Sequence, residues 1–118
     1  MPAIDAQSYE NLASELRRGL VVLMVLSQCE ELQYGYSLKQ RLGEAGLEVS
    51  EGTLYPLLRR LESQGLLESR WEVVDQQRPR RYYLLSTMGR AMLGQLVDEW
   101  KNLVTTLERL GIGKEAEK

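Results

Sequence analysis

The chain has 118 residues, 43% of them hydrophobic and 27% charged, with a formal net charge of −2. A chain this short makes one small domain with a limited core, so association with a second copy is a natural supplement to its stability. There is one cysteine and no histidine, which excludes an intramolecular disulfide and removes the commonest metal ligand and general base. No metal, cofactor or redox centre is expected. No nucleophile motif or Gly-rich phosphate loop supplies the parts of an enzyme. The longest apolar run, Leu20 to Leu26, is too short to span a bilayer, and Met-Pro-Ala-Ile-Asp at the start lacks the basic and apolar regions of a signal peptide. A cytoplasmic protein with no membrane partner is expected.

Residues 1–11 read as an irregular, flexible arm. A first helix follows from about Leu12 to Gln28, apolar at Leu12, Leu16, Leu20, Leu23 and Met24 and widened by Val21, Val22, Val25 and Leu26 until it is apolar on every side. Such a helix must be covered on every side, partly by its own domain and partly by a second chain or a C-terminal helix. Cys29, near its end, reads as a buried, inert thiol. The second helix runs from Tyr34-Gly35-Tyr36 through Leu38 and Leu42 to Ala45, where Gly46 can adopt the left-handed conformation that ends it. After a tight turn at Leu47-Glu48-Val49, Ser50 is placed to cap a third helix. Helix, short turn and capped helix make a helix-turn-helix.

The third helix, Glu51-Gly52-Thr53-Leu54-Tyr55-Pro56-Leu57-Leu58-Arg59-Arg60-Leu61-Glu62-Ser63, carries the most information. Leu54, Leu57, Leu58 and Leu61 recur at i, i+3, i+4 and i+7 and point into a core. Gly52, Pro56, Arg59 and Ser63 lie farthest from that stripe, flanked by Thr53, Tyr55 and Arg60. Small, hydroxylic and guanidinium groups on one face can approach a phosphate backbone and reach base edges. Pro56 cannot donate to the carbonyl of Gly52, so a distortion is expected there.

After Gly65 the period changes to two. Leu67, Ser69, Trp71 and Val73 alternate with Glu68, Arg70 and Glu72, a turn follows at Asp75-Gln76-Gln77-Arg78-Pro79, and a returning strand runs from Arg80 to Leu85. Arg78, Arg80 and Arg81 around an exposed hairpin tip suit phosphates or a narrow minor groove. Tyr82 and Tyr83 read as cross-strand packing residues. In the last helix, Leu93, Leu96, Trp100, Leu103, Leu107 and Leu110 form a heptad seam widened by Val97 and Val104, an association surface to which Leu16 and Leu20 of the first helix would add. Charge follows the same division: residues 1–48 carry four basic and seven acidic groups, 49–90 seven and five, and 91–118 four and five. The local excess is small, so affinity for a polyanion would rest on a few placed arginines, doubled by dimer symmetry.

Gly52-Thr53-Leu54-Tyr55-Pro56, followed by Arg59-Arg60-Leu61-Glu62 and Gly65-Leu66-Leu67, resembles the signature of the PadR family of prokaryotic winged-helix transcriptional regulators. Tyr34-Gly35-Tyr36-Ser37-Leu38 upstream and Arg80-Arg81-Tyr82-Tyr83-Leu84-Leu85-Ser86-Thr87-Met88-Gly89 downstream match in the family's order. Two departures, Leu84 for a polar residue and Ser86 for Thr, lie off the polar face of the third helix. The resemblance covers roughly Leu16 to Gly89. It implies a mainly α fold with a small β-hairpin, a winged helix-turn-helix over 12–85, a C-terminal dimerisation helix over 86–110 and a polar tail over 111–118. It also implies a homodimer on a pseudo-palindromic double-stranded DNA operator, acting as a repressor relieved by a small molecule.

By position, phosphate contacts are expected from Tyr36, Lys39, Tyr55, Arg59 and the wing arginines, and base contacts from Ser50, Thr53, Pro56 and Arg60. An indole at an a position, Trp100, is too large for close two-stranded packing. It is expected either to line, with Leu96, Val97 and Leu103, an inter-protomer gap for a planar aromatic compound, as the resemblance also implies, or to serve as an ordinary interface anchor; Asp98 and Glu99 beside it would favour a cation or face water. The competing expectation is a winged-helix protein-interaction module without direct DNA binding.

Overall fold

The computed structural model describes residues 3–73, 75–76 and 78–114. Gln77 of the expected turn and the last four residues of the expected tail lie outside that set. The elements run α1 (Ala6–Gln28), β1 (Gln33–Tyr34), α2 (Gly35–Glu44), α3 (Glu51–Ser63), β2 (Leu67–Glu72), β3 (Arg80–Leu85) and α4 (Thr87–Arg109). The result is a mainly helical winged-helix architecture with a small antiparallel sheet. Among the described residues no helix is long and apolar enough to cross a membrane.

Local chemistry explains most boundaries. α1 begins at Ala6, not Leu12, because Asp5 caps it: its carboxylate accepts from the Ser8 amide at 3.0 Å and the Ser8 hydroxyl at 3.1 Å. The expected irregular arm is therefore helical from residue 6 onward. α2 ends at Gly46, whose φ of +112° lets the Leu47 amide reach back to the Leu42 carbonyl at 2.8 Å. α3 ends the same way at Gly65, with the Leu66 amide on the Leu61 carbonyl. These left-handed glycines satisfy carbonyls that a helix end leaves orphaned.

The sheet has the order β1-β3-β2, all antiparallel. β2 and β3 pair from Leu67↔Leu85 to Glu72↔Arg80, which is the expected hairpin. β1 was not expected: Tyr34 read as the start of the second helix, but Gln33 and Tyr34 pair with Tyr83 and Tyr82 before the chain turns into α2. The alternation expected of β2 holds at its base, where Leu67 is buried, and fails at the tip, where Trp71 is 64% exposed. The distal hairpin extends past the helices that would cover it.

The core gathers Val25, Leu26 and Cys29 from α1, Leu38 and Leu42 from α2, Leu54, Leu58 and Leu61 from α3, then Leu66, Leu67, Tyr83, Leu85 and Leu93. Burial pushes the Cys29 thiol up to about 12, which makes it the inert core residue expected. Leu57, expected in the core, is only half-buried.

One junction holds the layers together. The Ser86 hydroxyl donates to the Gly65 carbonyl at 2.6 Å and accepts from the Gly89 amide at 2.9 Å, capping α4, while the Ser86 amide donates to the Leu66 carbonyl at 3.1 Å. A Cβ on Gly89 would collide with that same Leu66 carbonyl, so only glycine lets α4 root this close to the end of α3.

α4 then leaves the body. Leu93 is 8% exposed and belongs to the core, and Leu96 and Val97 pack partly against it. This corrects the expected seam, since Leu93 is used within the protomer. Farther out the same stripe has nothing to sit on: Trp100 is 43% exposed, and Leu103, Leu107 and Leu110 are exposed too. The molecule measures 61 × 32 × 23 Å with a radius of gyration of 17.5 Å, against about 13–14 Å for a compact chain of this length.

Candidate nucleic-acid interface

α3 presents its polar face as the sequence pattern requires. Leu54, Leu58 and Leu61 anchor one side in the core, while Gly52, Thr53, Pro56, Arg59, Arg60 and Ser63 are exposed on the other. The helix runs through Pro56 without interruption, so the expected distortion does not break it. Ser50 caps the helix as expected: its Oγ accepts from the Thr53 amide at 3.2 Å and donates to the Thr53 hydroxyl at 3.2 Å. The two hydroxyls are thereby fixed relative to each other at the first turn.

The exposed face divides lengthwise. Arg59 lies on the wing side, close enough to Tyr83 that its charge, with that of Arg81, opposes the burial that raises the Tyr83 hydroxyl. Thr53, Leu57 and Arg60 lie on the other flank and face α1. Between them Gly52 and Pro56 form a strip with no long side chain, which would allow close approach of a groove wall.

Tyr55 is half-buried against α2. A Cβ on Gly35 would collide with its ring, so the absence of a side chain at Gly35 sets how closely the two helices of the helix-turn-helix pack. Burial raises the Tyr55 hydroxyl, and the Glu51 carboxylate raises it further. Tyr36 is exposed and Lys39 half-buried, both in the first half of α2.

The wing differs most from expectation. Arg81 is half-buried and committed within the chain: its Nη2 donates to Glu62 Oε1 at 2.8 Å and its Nε to the Ser69 hydroxyl at 3.0 Å, while Ser69 donates to Glu62 Oε2 at 2.5 Å. Arg80 stacks on Tyr34, with its guanidinium carbon 4.5 Å from the ring centroid, and Tyr82 meets the same ring edge-on at 5.3 Å. Of the three arginines, Arg78 is the one that stands exposed at the tip. The sequence could not separate them, because Glu62 and Arg81 are far apart in the chain and meet only through the α3–β2–β3 fold.

Sequence reasoning also missed a groove of about 580 Å³ between α1 and α3, where Arg17, Arg18, Val21 and Val22 face Thr53, Leu57 and Arg60. Its signal in the sequence is Arg17-Arg18, on the side of α1 opposite the leucine stripe. The expected effector residues do not enclose a cavity on one chain: Trp100 and Leu103 stand in solvent, so a pocket there would take its second wall from another copy.

This architecture has close relatives. The model of the transcriptional regulator PadR-like family matches residues 22–95. The transcriptional regulator Rv3488 of Mycobacterium tuberculosis is 45% identical over 80 residues, 67% of this chain and 74% of the relative. A PadR family transcriptional regulator from Eggerthella lenta superposes with a TM-score of 0.80 at 40% identity, covering 92% of this chain and 100% of the other. A PadR-like transcriptional regulator from Bacillus cereus superposes with a TM-score of 0.75 at 30% identity, covering 86% and 100%. Helix-turn-helix, wing and outgoing α4, together with these matches, establish that the chain belongs to the PadR-like family of transcriptional regulators.

Proposed function

We propose that the protein acts as a homodimeric, sequence-specific DNA-binding repressor whose grip on its operator is set by a small molecule. The observation that carries this reading is the exposed face of α3. Capped by Ser50 and backed by three buried leucines, it offers Thr53, Arg59 and Arg60 around a strip of glycine and proline. Thr53 and Arg60 are placed for base edges with Ser50 and Pro56; Arg59, Tyr36, Lys39 and Tyr55 flank them on the backbone side. From the wing, Arg78 reaches phosphates, while Arg80 and Arg81 hold the hairpin in position.

Dimerisation supports the same reading. Leu16 and Leu20 of α1 and Trp100, Leu103, Leu107 and Leu110 of α4 leave apolar side chains exposed, more than an isolated domain would keep in water. A second copy would cover them and set two α3 helices about 34 Å apart, one turn of duplex. The test is fluorescence anisotropy with the duplex upstream of the protein's own gene, titrated over a salt series. Binding that weakens steeply with salt and saturates at two protomers per duplex supports the reading. Absence of salt-dependent binding to any duplex would favour a protein-interaction module instead.

A further inference from the structure

The groove between α1 and α3 has two unlike walls. Its floor is apolar, made by Val21 and Val22 from α1, Leu47 and Val49 from the turn, and Leu57 from α3, all half-buried. Its rim is cationic and hydroxylic, with Arg17 and Arg18 on one side and Arg60, Thr53 and Ser50 on the other; among the described residues Glu48 is the only carboxylate lining it. Arg17 is paired with Glu10 at 2.9 Å. Among the described residues no carboxylate holds Arg18 or Arg60 in an ion pair.

We propose that this groove binds a small amphipathic carboxylate, its apolar body on the valine and leucine floor and its anionic head between Arg18 and Arg60. The volume of about 580 Å³ falls in the range of small-molecule sites, roughly 300–1,000 Å³. Charge complementarity names the head group, since two guanidinium groups with one carboxylate nearby favour an anion and can hold a carboxylate by paired hydrogen bonds. The floor excludes a bare phosphate as the natural occupant, because a hydrophilic anion would leave the floor against water and gain nothing from it.

Position gives the site a consequence that rests on the DNA-binding reading above. Thr53, Pro56 and Arg60 belong both to the groove and to the exposed face of α3. A ligand that engages Arg60 withdraws it from the duplex, so carboxylate and operator bind in competition, and each weakens the other equally.

The probe is decanoate, titrated calorimetrically into the full-length protein below its micellar concentration. One site per protomer is expected, with affinity at least tenfold weaker in Arg18→Gln and in Arg60→Gln, both exposed positions whose folding is checked by thermal melt. Decanol, which has the body without the charge, should bind at least tenfold more weakly, inorganic phosphate should not displace decanoate, and Trp100→Ala should bind decanoate as the parent does. Saturating decanoate should weaken operator binding at least tenfold. Any of four results overturns the proposal: no binding, equal binding by the arginine variants, displacement by phosphate, or dissociation by Val22→Glu into monomers that a thermal melt shows to be folded, which would mean that a second copy covers the groove. Operator affinity unmoved by bound decanoate overturns the competition. Decanoate binding by a protein that binds no duplex would uphold the site and reject the DNA reading alone.

Discussion

Replacing Glu62 with alanine removes the carboxylate that joins α3 to the wing. The side chains of Glu62 and Arg81 are 27% and 37% exposed, and their oxygen and nitrogen atoms lie 2.8 Å apart. Such a pair stands between exposed ion pairs, worth about 0–1 kcal/mol, and buried ones, whose rupture costs about 3–5 kcal/mol because a charge is stranded. The substitution also strands the Ser69 hydroxyl, which donates to Glu62 at 2.5 Å. A cost of about 2 kcal/mol follows, taking hydrogen bonds to charged groups at about 1.5–3 kcal/mol and discounting for solvent screening. For a chain of this length that lowers the melting temperature by about 8 °C. Calorimetric melts of Glu62→Ala, Arg81→Met and the double variant, at one protein concentration so that the dimer equilibrium is held fixed, would read it. The double variant should cost less than the sum of the singles by about 1 kcal/mol or more. Singles within about 0.5 kcal/mol of the parent and additive in combination would refute the view that this network braces the wing.

Arg59→Ala should weaken binding across DNA sequences and reduce the salt dependence by about one phosphate contact, whereas Thr53→Ala should relax preference at particular base pairs; anisotropy on operator and scrambled duplexes separates the two. Leu107→Asp places a carboxylate in the exposed apolar stripe of α4, and sedimentation should show dissociated or unfolded protein, since an unpaired charge is costly to bury. Gly35→Ala should destabilise the protein by about 1–3 kcal/mol in urea titrations, because the new methyl group displaces the Tyr55 ring. Cys29, with its thiol pushed up to about 12, should resist iodoacetamide at pH 8 until the chain is unfolded. Between the ordinary thiol range near 9 and about 12 the unfolded state loses this proton first, so stability should fall with rising pH there, and Cys29→Ala should remove that part of the slope.

What the sequence made legible was local. Ser50, Gly46 and Gly65 are start and stop signals written within a few residues of the helices they bound, and the leucines of α3 repeat at a spacing that only one helical face can satisfy. The first turn of α1 was misread because the apolar stripe begins at Leu12, while the cap at Asp5 acts through polar atoms and leaves no periodic trace. β1 is too short to alternate, and its partners Tyr82 and Tyr83 lie far along the chain. The roles of Arg80 and Arg81 depend on Tyr34 and Glu62, which folding alone brings near. Leu93 and Trp100 share one heptad stripe, and only the position of the core separates the buried leucine from the exposed indole.

The junction at Ser86 makes the molecule a lever. One hydroxyl and one amide join the root of α4 to Gly65 and Leu66, the residues that terminate α3, and Gly89 leaves no slack between them. A 23-residue α4 extends about 34 Å from that junction. If α4 pairs with a second copy at its outer end, tilting the arm by about 5° about that end would carry its root, and α3 with it, by about 3 Å, close to the rise of one base pair. On the proposed DNA reading, angular tolerance at the far end of α4 would become spacing tolerance at the DNA, so loosening the outer leucines should blur the distance between half-sites before it abolishes binding to either one.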